Sequence, residues 1–229
     1  AIVDGVTATI GRFGDDYWLE GDREGSFPHE FYQTVADGGW LGIAMPEEFG
    51  GAGLGVTEAA LMMAAIAGSG GAMAAASSVH MNIFGPHAIV KHGSDAQKAR
   101  WLPGLIDGSY KMCFAVTEPD AGLDTTRIKT RAERDGDDYI VHGQKIWTST
   151  AQVTEKVMLL ARTAPRDDAS PADGLSLFFT DLDRETASVR EIEKMGRKAV
   201  DSNEIFFDGM RISVADRIGE EGQGFRYLI

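Results

Sequence analysis

The chain holds 229 residues, 43% hydrophobic and 25% charged, an ordinary balance for a folded protein with enough material for one or two buried cores. Its formal net charge of −13 argues against a nucleic-acid partner, although backbone amides and a few Lys or Arg can still hold a phosphate-bearing cofactor. One cysteine, Cys113, excludes an internal disulfide and a cysteine-rich zinc site, and no run reaches the roughly 18 apolar residues of a membrane span.

The opening AIVDGVTATIGRF lacks the basic flank and apolar stretch of a signal peptide, so an intracellular protein is expected. A first helix is predicted from Pro28 to Gly38. Thr57 is placed to N-cap a second, running through Leu61, Met62, Ala65 and Ile66 and ended by Gly68, Gly70 and Gly71. An Ala- and Met-rich segment from Ala72 to His92 follows, split or kinked at Pro86 and stopped at Gly93. Ser94-Asp-Ala-Gln then has capping-box spacing and opens a helix that carries Trp101 and Leu102 and closes at Pro103-Gly104. The Ala and Met faces read as close helix packing.

After residue 110 the period drops towards two. Lys111 to Val116 reads as a buried strand, and Ile128 to Glu133 alternates. Asp135-Gly136 supplies a turn before Tyr139 to Val141. Val157 to Ala161, Leu175 to Phe179, Val189 to Ile192 and Ile205 to Phe207 are further short strands, with a Pro-, Asp- and Ser-bearing loop at Thr163 to Gly174. Short strands with turn signals imply a barrel or sandwich. The expected class is α+β: an all-α domain over residues 1–110 and a β-domain over 111–217, with 218–229 leading onward. Phe225, Leu228 and Ile229 share one helical face, but a helix so short is not stable alone, which predicts a longer protein or a partner chain.

Several chemistries are missing. There is no Gly-x-Ser-x-Gly elbow, no His-Glu-x-x-His and no P-loop. The five histidines lack metal-ligand spacing, so no metal is expected. Glycines 51, 53 and 55 follow Pro46-Glu47-Glu48-Phe49 rather than a strand, and read as a surface loop rather than a dinucleotide cradle; Gly219, Gly222 and Gly224 fail the same test.

Two segments carry chemistry. Phe114-Ala-Val-Thr-Glu-Pro-Asp-Ala-Gly-Leu-Asp124 runs off a predicted strand into a loop, where a hydroxyl (Thr117), backbone amides and Gly122 suit a planar, hydrogen-bonding ligand. Gly143-Gln-Lys-Ile-Trp-Thr-Ser-Thr150 sets Trp147 beside hydroxyls at another strand end. Taken singly, Thr117 serves equally as a turn cap and Trp147 as filler of a barrel mouth.

Together the two segments resemble the acyl-CoA dehydrogenase flavoprotein family, whose pattern is aromatic-x-Val-Thr-Glu-Pro-x-x-Gly-Ser-Asp followed by Gly-x-Lys-x-Trp-x-Thr/Ser-Asn. The likeness extends to Met45 through Gly53, to His92 through Lys98 with Trp101-Leu102-Pro103, to Met195 through Lys198 with Asp201 through Glu204, and to Gly219 through Phe225. It implies a middle β-barrel after the helical domain, and a C-terminal helical bundle that is absent from this chain. The cofactor implied is FAD, with the Phe114, Ala115, Val116 and Thr117 backbone and the Thr117 hydroxyl at the pyrimidine end. Trp147, Thr148 and Ser149 would lie along the other side, with Ser149 near N5.

The reaction implied is α,β-dehydrogenation of an acyl-CoA, with electrons passing to an electron-transfer flavoprotein. The base would lie in the absent domain, so the chain carries no catalytic residue and is inactive alone. Glu118 shapes its loop. Gly122 and Leu123 would face substrate, Leu123 standing where the family's Ser contacts acyl-CoA and Thr150 where Asn is usual. The alternatives are an acyl-CoA oxidase or flavin monooxygenase of the same fold, or a non-catalytic flavin- or CoA-binding subunit. The resemblance further implies a homo-oligomer, tetramer or dimer, in a bacterial-type cytoplasm or a mitochondrial matrix.

Overall fold

A computed structural model describes residues 1–228; Ile229, one member of the expected C-terminal helical face, lies outside the described residues. The chain forms two compact units, and the division is not a single cut. Residues 1–90, 98–111 and 193–201 make the helical unit, and residues 91–97, 112–192 and 202–229 make the sheet unit.

The helical unit contains α1 (Ile2–Ile10), α2 (Asp15–Glu24), α3 (His29–Asp37), α4 (Val56–Ala67) and α5 (Ala72–Phe84). Two further helices, α6 (His87–His92) and α7 (Asp95–Ile106), belong partly to each unit. The N-cap of α4 is Gly55 and not Thr57: Glu58 reaches back to accept the Gly55 N–H at 2.9 Å, satisfying a donor at the open helix end. Pro86 separates α5 from α6.

The Ser94 box forms as the spacing predicts, with Gln97 N–H to Ser94 Oγ at 3.2 Å and Ser94 N–H to Gln97 Oε1 at 2.9 Å. Helix α7 runs past Pro103 to Ile106 rather than closing at Pro103-Gly104, and Trp101, Leu102, Leu105 and Ile106 are all buried. Their burial outweighs the one helical hydrogen bond that proline removes. Helices α1 and α2 have no counterpart among the predicted elements. Trp18 of α2 packs edge-on against Tyr17 and Phe31 in an aromatic cluster that also holds Phe13.

The sheet unit contains β1 (Met112–Ala115), β2 (Arg131–Asp135), β3 (Asp138–Ser149), β4 (Lys156–Arg162), β5 (Leu175–Asp181), β6 (Ala187–Glu191), β7 (Ser202–Ser213) and β8 (Arg217–Ile218). Its ladder runs β6-β7-β3-β2-β4-β5-β8, with β1 paired parallel to β4. The ladder is an open path, yet seven of the eight strands feed one buried cluster, from Cys113 and Ala115 through Tyr139, Leu159 and Phe178 to Ala187 and Ile205, so the sheet curls about its own core. Beyond β8 the described residues form no α-helix, only a short 3-10 turn at Gly224–Tyr227. None of the described helices is long and apolar enough to cross a membrane.

Candidate functional site

Strand β1 turns Cys113 and Ala115 into the core and leaves Phe114 and Val116 half-buried, as the two-residue period requires. The chain then leaves the sheet through Thr117 and makes a tight turn, with Ala121 N–H on the Glu118 carbonyl at 3.1 Å. This is one rim. The other is the far end of β3, and the two are joined directly: Ile146 N–H donates to the Thr117 carbonyl at 2.9 Å.

Beneath that contact sits a buried ion pair that the sequence pattern had not drawn out. The Lys145 side chain is fully enclosed; its Nζ donates to the Val116 carbonyl and to Glu118 Oε1, both at 2.9 Å. Glu118 also accepts the Lys129 N–H at 2.6 Å and the Thr130 N–H at 2.9 Å. Burial pushes the Lys145 ammonium down to about 8, against the upward pull of the Glu118 charge and hydrogen bond. For Glu118 burial would raise the carboxyl, but the Lys145 charge and the hydrogen bonds from Thr130, Lys129 and Lys145 outweigh it and hold it below the usual range.

A buried pair contributes to stability only when its remaining lone pairs and protons are satisfied, and here they are well supplied. Glu118 thus shapes its loop by gathering three chain segments. Gly143 permits the third: a Cβ there would lie 2.6 Å from the Thr130 Cα, and its φ of +151° is outside the ordinary range of larger residues.

The second rim is re-aimed by a bulge. Lys145 pairs with Ile205 and Thr148 with Asn203, so three steps on β3 face two on β7. The extra residue reverses the parity. Trp147, in the left-handed region at φ +61°, swings out to 60% exposure, while the Thr148 side chain turns in. Ser149 is half-buried on the outward side.

The Thr148 side chain therefore does not line the open face. Its hydroxyl is enclosed without a hydrogen-bond partner, and what holds the residue is its carbonyl, which accepts from Asn203 Nδ2 at 2.9 Å. Thr150, also at positive φ (+63°), ties this rim back to β1 by donating to the Met112 carbonyl at 3.1 Å. Past the Glu118 turn, Gly122 faces open space and the Leu123 side chain is wholly exposed. The sheet unit thus gathers Phe114 to Thr117 with Trp147 to Ser149 at one rim contact, and carries Gly122 and Leu123 on the loop that continues from it. Two hydroxyls, an outward indole and fixed backbone make a face suited to a flat, polar-edged ring.

The acyl-CoA dehydrogenase N-terminal domain matches residues 1–109 and the acyl-CoA dehydrogenase middle domain matches residues 113–210. Acyl-CoA dehydrogenase FadE12 of Mycobacterium tuberculosis is 34% identical over 226 residues, covering 97% of this chain and 56% of that protein. A probable acyl-CoA dehydrogenase from Mycobacterium abscessus superposes with a TM-score of 0.90 at 30% identity, over 100% of this chain and 60% of its own. A glutaryl-CoA dehydrogenase from Mycobacterium smegmatis, solved in complex with FADH2, superposes at 0.86 with 25% identity, over 99% of this chain and 56% of its own. The chain spans about half the length of the curated relatives it matches. By both domain matches, in order and together nearly end to end, the chain belongs to the acyl-CoA dehydrogenase family and carries its N-terminal and middle domains.

Proposed function

We propose that this chain provides the flavin-facing part of an FAD-dependent acyl-CoA dehydrogenase, which removes hydrogen across the Cα–Cβ bond of an acyl thioester and delivers the electrons to an electron-transfer flavoprotein. The observation that carries the reading is the junction of the two rims, Ile146 N–H on the Thr117 carbonyl over the buried Lys145–Glu118 pair. It fixes both rims against each other before any ligand arrives, so little ordering is left to binding.

The residues fit the cofactor. The exposed Trp147 indole supplies an apolar face, the half-buried Thr117 and Ser149 supply hydroxyl donors, and the backbone from Phe114 through Thr117 and at Thr148 supplies the polar edge. When bound, FAD supplies the hydride acceptor. The protein's own part is to orient the ring, to place hydroxyl donors where negative charge develops on reduction, and to keep water from one face. Gly122 lets the thioester arm approach closely, and Leu123 offers it apolar rather than polar contact. Glu118 is already committed to Lys145 and two backbone amides, so it does not serve as the base.

The test is titration of the 229-residue chain with FAD, followed by visible absorption. The chain is expected to bind FAD, W147A to weaken binding by about tenfold without loss of fold, and added acyl-CoA to leave the flavin oxidised. A chain that refuses FAD, or W147A with unchanged affinity, defeats the reading. Bleaching by acyl-CoA would demand a base among these residues.

A further inference from the structure

We propose that Lys145 is a positioning residue for the bound ring: through the Val116–Thr117 peptide group, its ammonium aims and polarises the Thr117 N–H as a donor to the ring's edge. The inference rests on the flavin reading above, and adds to it a buried charge that acts on the ring without touching it.

A buried ion pair is often no more stable than apolar side chains of the same size, so stability alone does not account for Lys145. Its contacts are directional. The side chain is fully enclosed, and Nζ donates at 2.9 Å both to Glu118 Oε1 and to the Val116 carbonyl. Glu118 divides its charge, because its oxygens also accept the Lys129 N–H at 2.6 Å and the Thr130 N–H at 2.9 Å. The ammonium in direct contact with the Val116 carbonyl therefore sets the field at that peptide group.

In a trans peptide the C=O and the N–H point in opposite directions. With the Val116 carbonyl drawn inward to Lys145, the Thr117 N–H points outward, away from the buried pair. The carbonyl of Thr117 itself is held by the Ile146 N–H at 2.9 Å, so the peptide groups on both sides of Thr117 are clamped. Thr117 is half-buried, and its N–H has no acceptor among the described residues. A donor fixed in direction and left without a partner is a place for an acceptor atom brought by a ligand.

A cation on the carbonyl end of a peptide group draws electron density from the N–H end, which strengthens that donor as in a hydrogen-bonded chain. The gain is largest towards an acceptor that takes on negative charge. Lys145 thus favours the reduced ring over the oxidised one. The charged side chain that Lys145 meets is Glu118; Arg162 is near enough to Glu118 to feel its charge, and the Lys129 side chain is turned to Asp120 at 3.2 Å.

The test compares the isotope-labelled 229-residue chain with K145M/E118Q, which removes both charges together and leaves no buried charge unpaired; far-UV circular dichroism checks its fold. Without ligand, the Thr117 amide resonance of the parent is expected to titrate with a midpoint near the Lys145 value of about 8, and that of the variant to stay flat. Added FAD should shift the Thr117 amide of the parent. In the variant at neutral pH, reduced flavin should be held about tenfold less tightly relative to oxidised flavin, a midpoint potential lower by about 30 mV for a two-electron couple. A Thr117 amide that ignores pH or ignores bound FAD overturns the inference, and both are read on the parent even if the variant does not fold. Bound FAD with an unchanged potential in a folded variant also overturns it, and leaves the flavin reading standing. A chain that takes no FAD defeats the flavin reading and this inference with it.

Discussion

Thr148 shows at the scale of one residue what a bulge does to a sequence reading. Strict alternation from the inward Lys145 would turn Trp147 in and Thr148 out. The extra residue opposite β7 inverts both, and period counting has no access to it because the bulge is fixed by the partner strand. Trp147 therefore stands at the surface while the neighbouring Thr148 hydroxyl is enclosed. An enclosed hydroxyl without a partner costs about 1–3 kcal/mol, and valine has the same shape without the polar atom. T148V is accordingly expected to be more stable by about 1 kcal/mol, read as a higher urea midpoint at unchanged slope, with no change in FAD affinity. A lower midpoint would mean that the hydroxyl does have a partner, and weaker FAD binding would mean that it faces the cofactor.

At the scale of elements, the Lys145–Glu118 pair is what makes two loops into one site. It joins the end of β3 to the turn after β1, and through the Lys129 and Thr130 amides to the approach to β2. Both residues stand in the motifs read from the sequence, but their meeting depends on strand pairing over 27 residues, which no local pattern encodes. Replacing Glu118 by Gln leaves an uncompensated buried ammonium and should cost about 3 kcal/mol at neutral pH.

The pH dependence follows from the two shifts. Glu118 is held below its ordinary 4.5, so its contribution is present above that value and is lost as pH falls through the lower folded value; E118Q should show a shallower acid limb. Lys145 runs the other way. Its folded value is about 8 against 10.5 when unfolded, so between those values the unfolded chain binds more protons and the lysine's share of stability rises with pH. K145M should flatten that rise. Denaturant midpoints across the pH range check both, and an E118Q acid limb as steep as the parent's would place the acid lability elsewhere.

For the whole molecule, the order of helices then strands was legible, because each class carries its own period: α3 to α5 and seven of the strands lie close to where the pattern puts them. Helices α1 and α2 were not read, and in α2 only Trp18 is buried, which leaves almost no apolar stripe to detect. Nor was the exchange of segments between the units. Residues 193–201 join the helical unit through Lys198 N–H on Asp22 at 2.6 Å and Arg197 on Ser77 at 2.8 Å, contacts fixed by the fold and not by spacing.

The purpose of the glycines near the C-terminal end appears only in three dimensions. They lay the chain flat against β5. Gly222 N–H bonds Ser176 Oγ at 2.8 Å, Gly174 N–H bonds the Gly222 carbonyl at 3.0 Å, and Tyr139 donates from the core to Glu221 at 2.7 Å. A Cβ on Gly224 would lie 2.3 Å from the Leu177 nitrogen and 2.5 Å from the Ser176 carbonyl carbon, and backbone of a paired strand has no rotamer to yield. G224A should therefore cost about 2 kcal/mol and lower the melting temperature by roughly 4–8 °C. Because the strap is bonded to Tyr139 inside the common core, the loss should be cooperative, with all core amides exchanging faster together. If only the amides of Gly174 and Gly222 lose protection while the melting temperature holds, the strap frays independently and the core of the sheet unit stands without it.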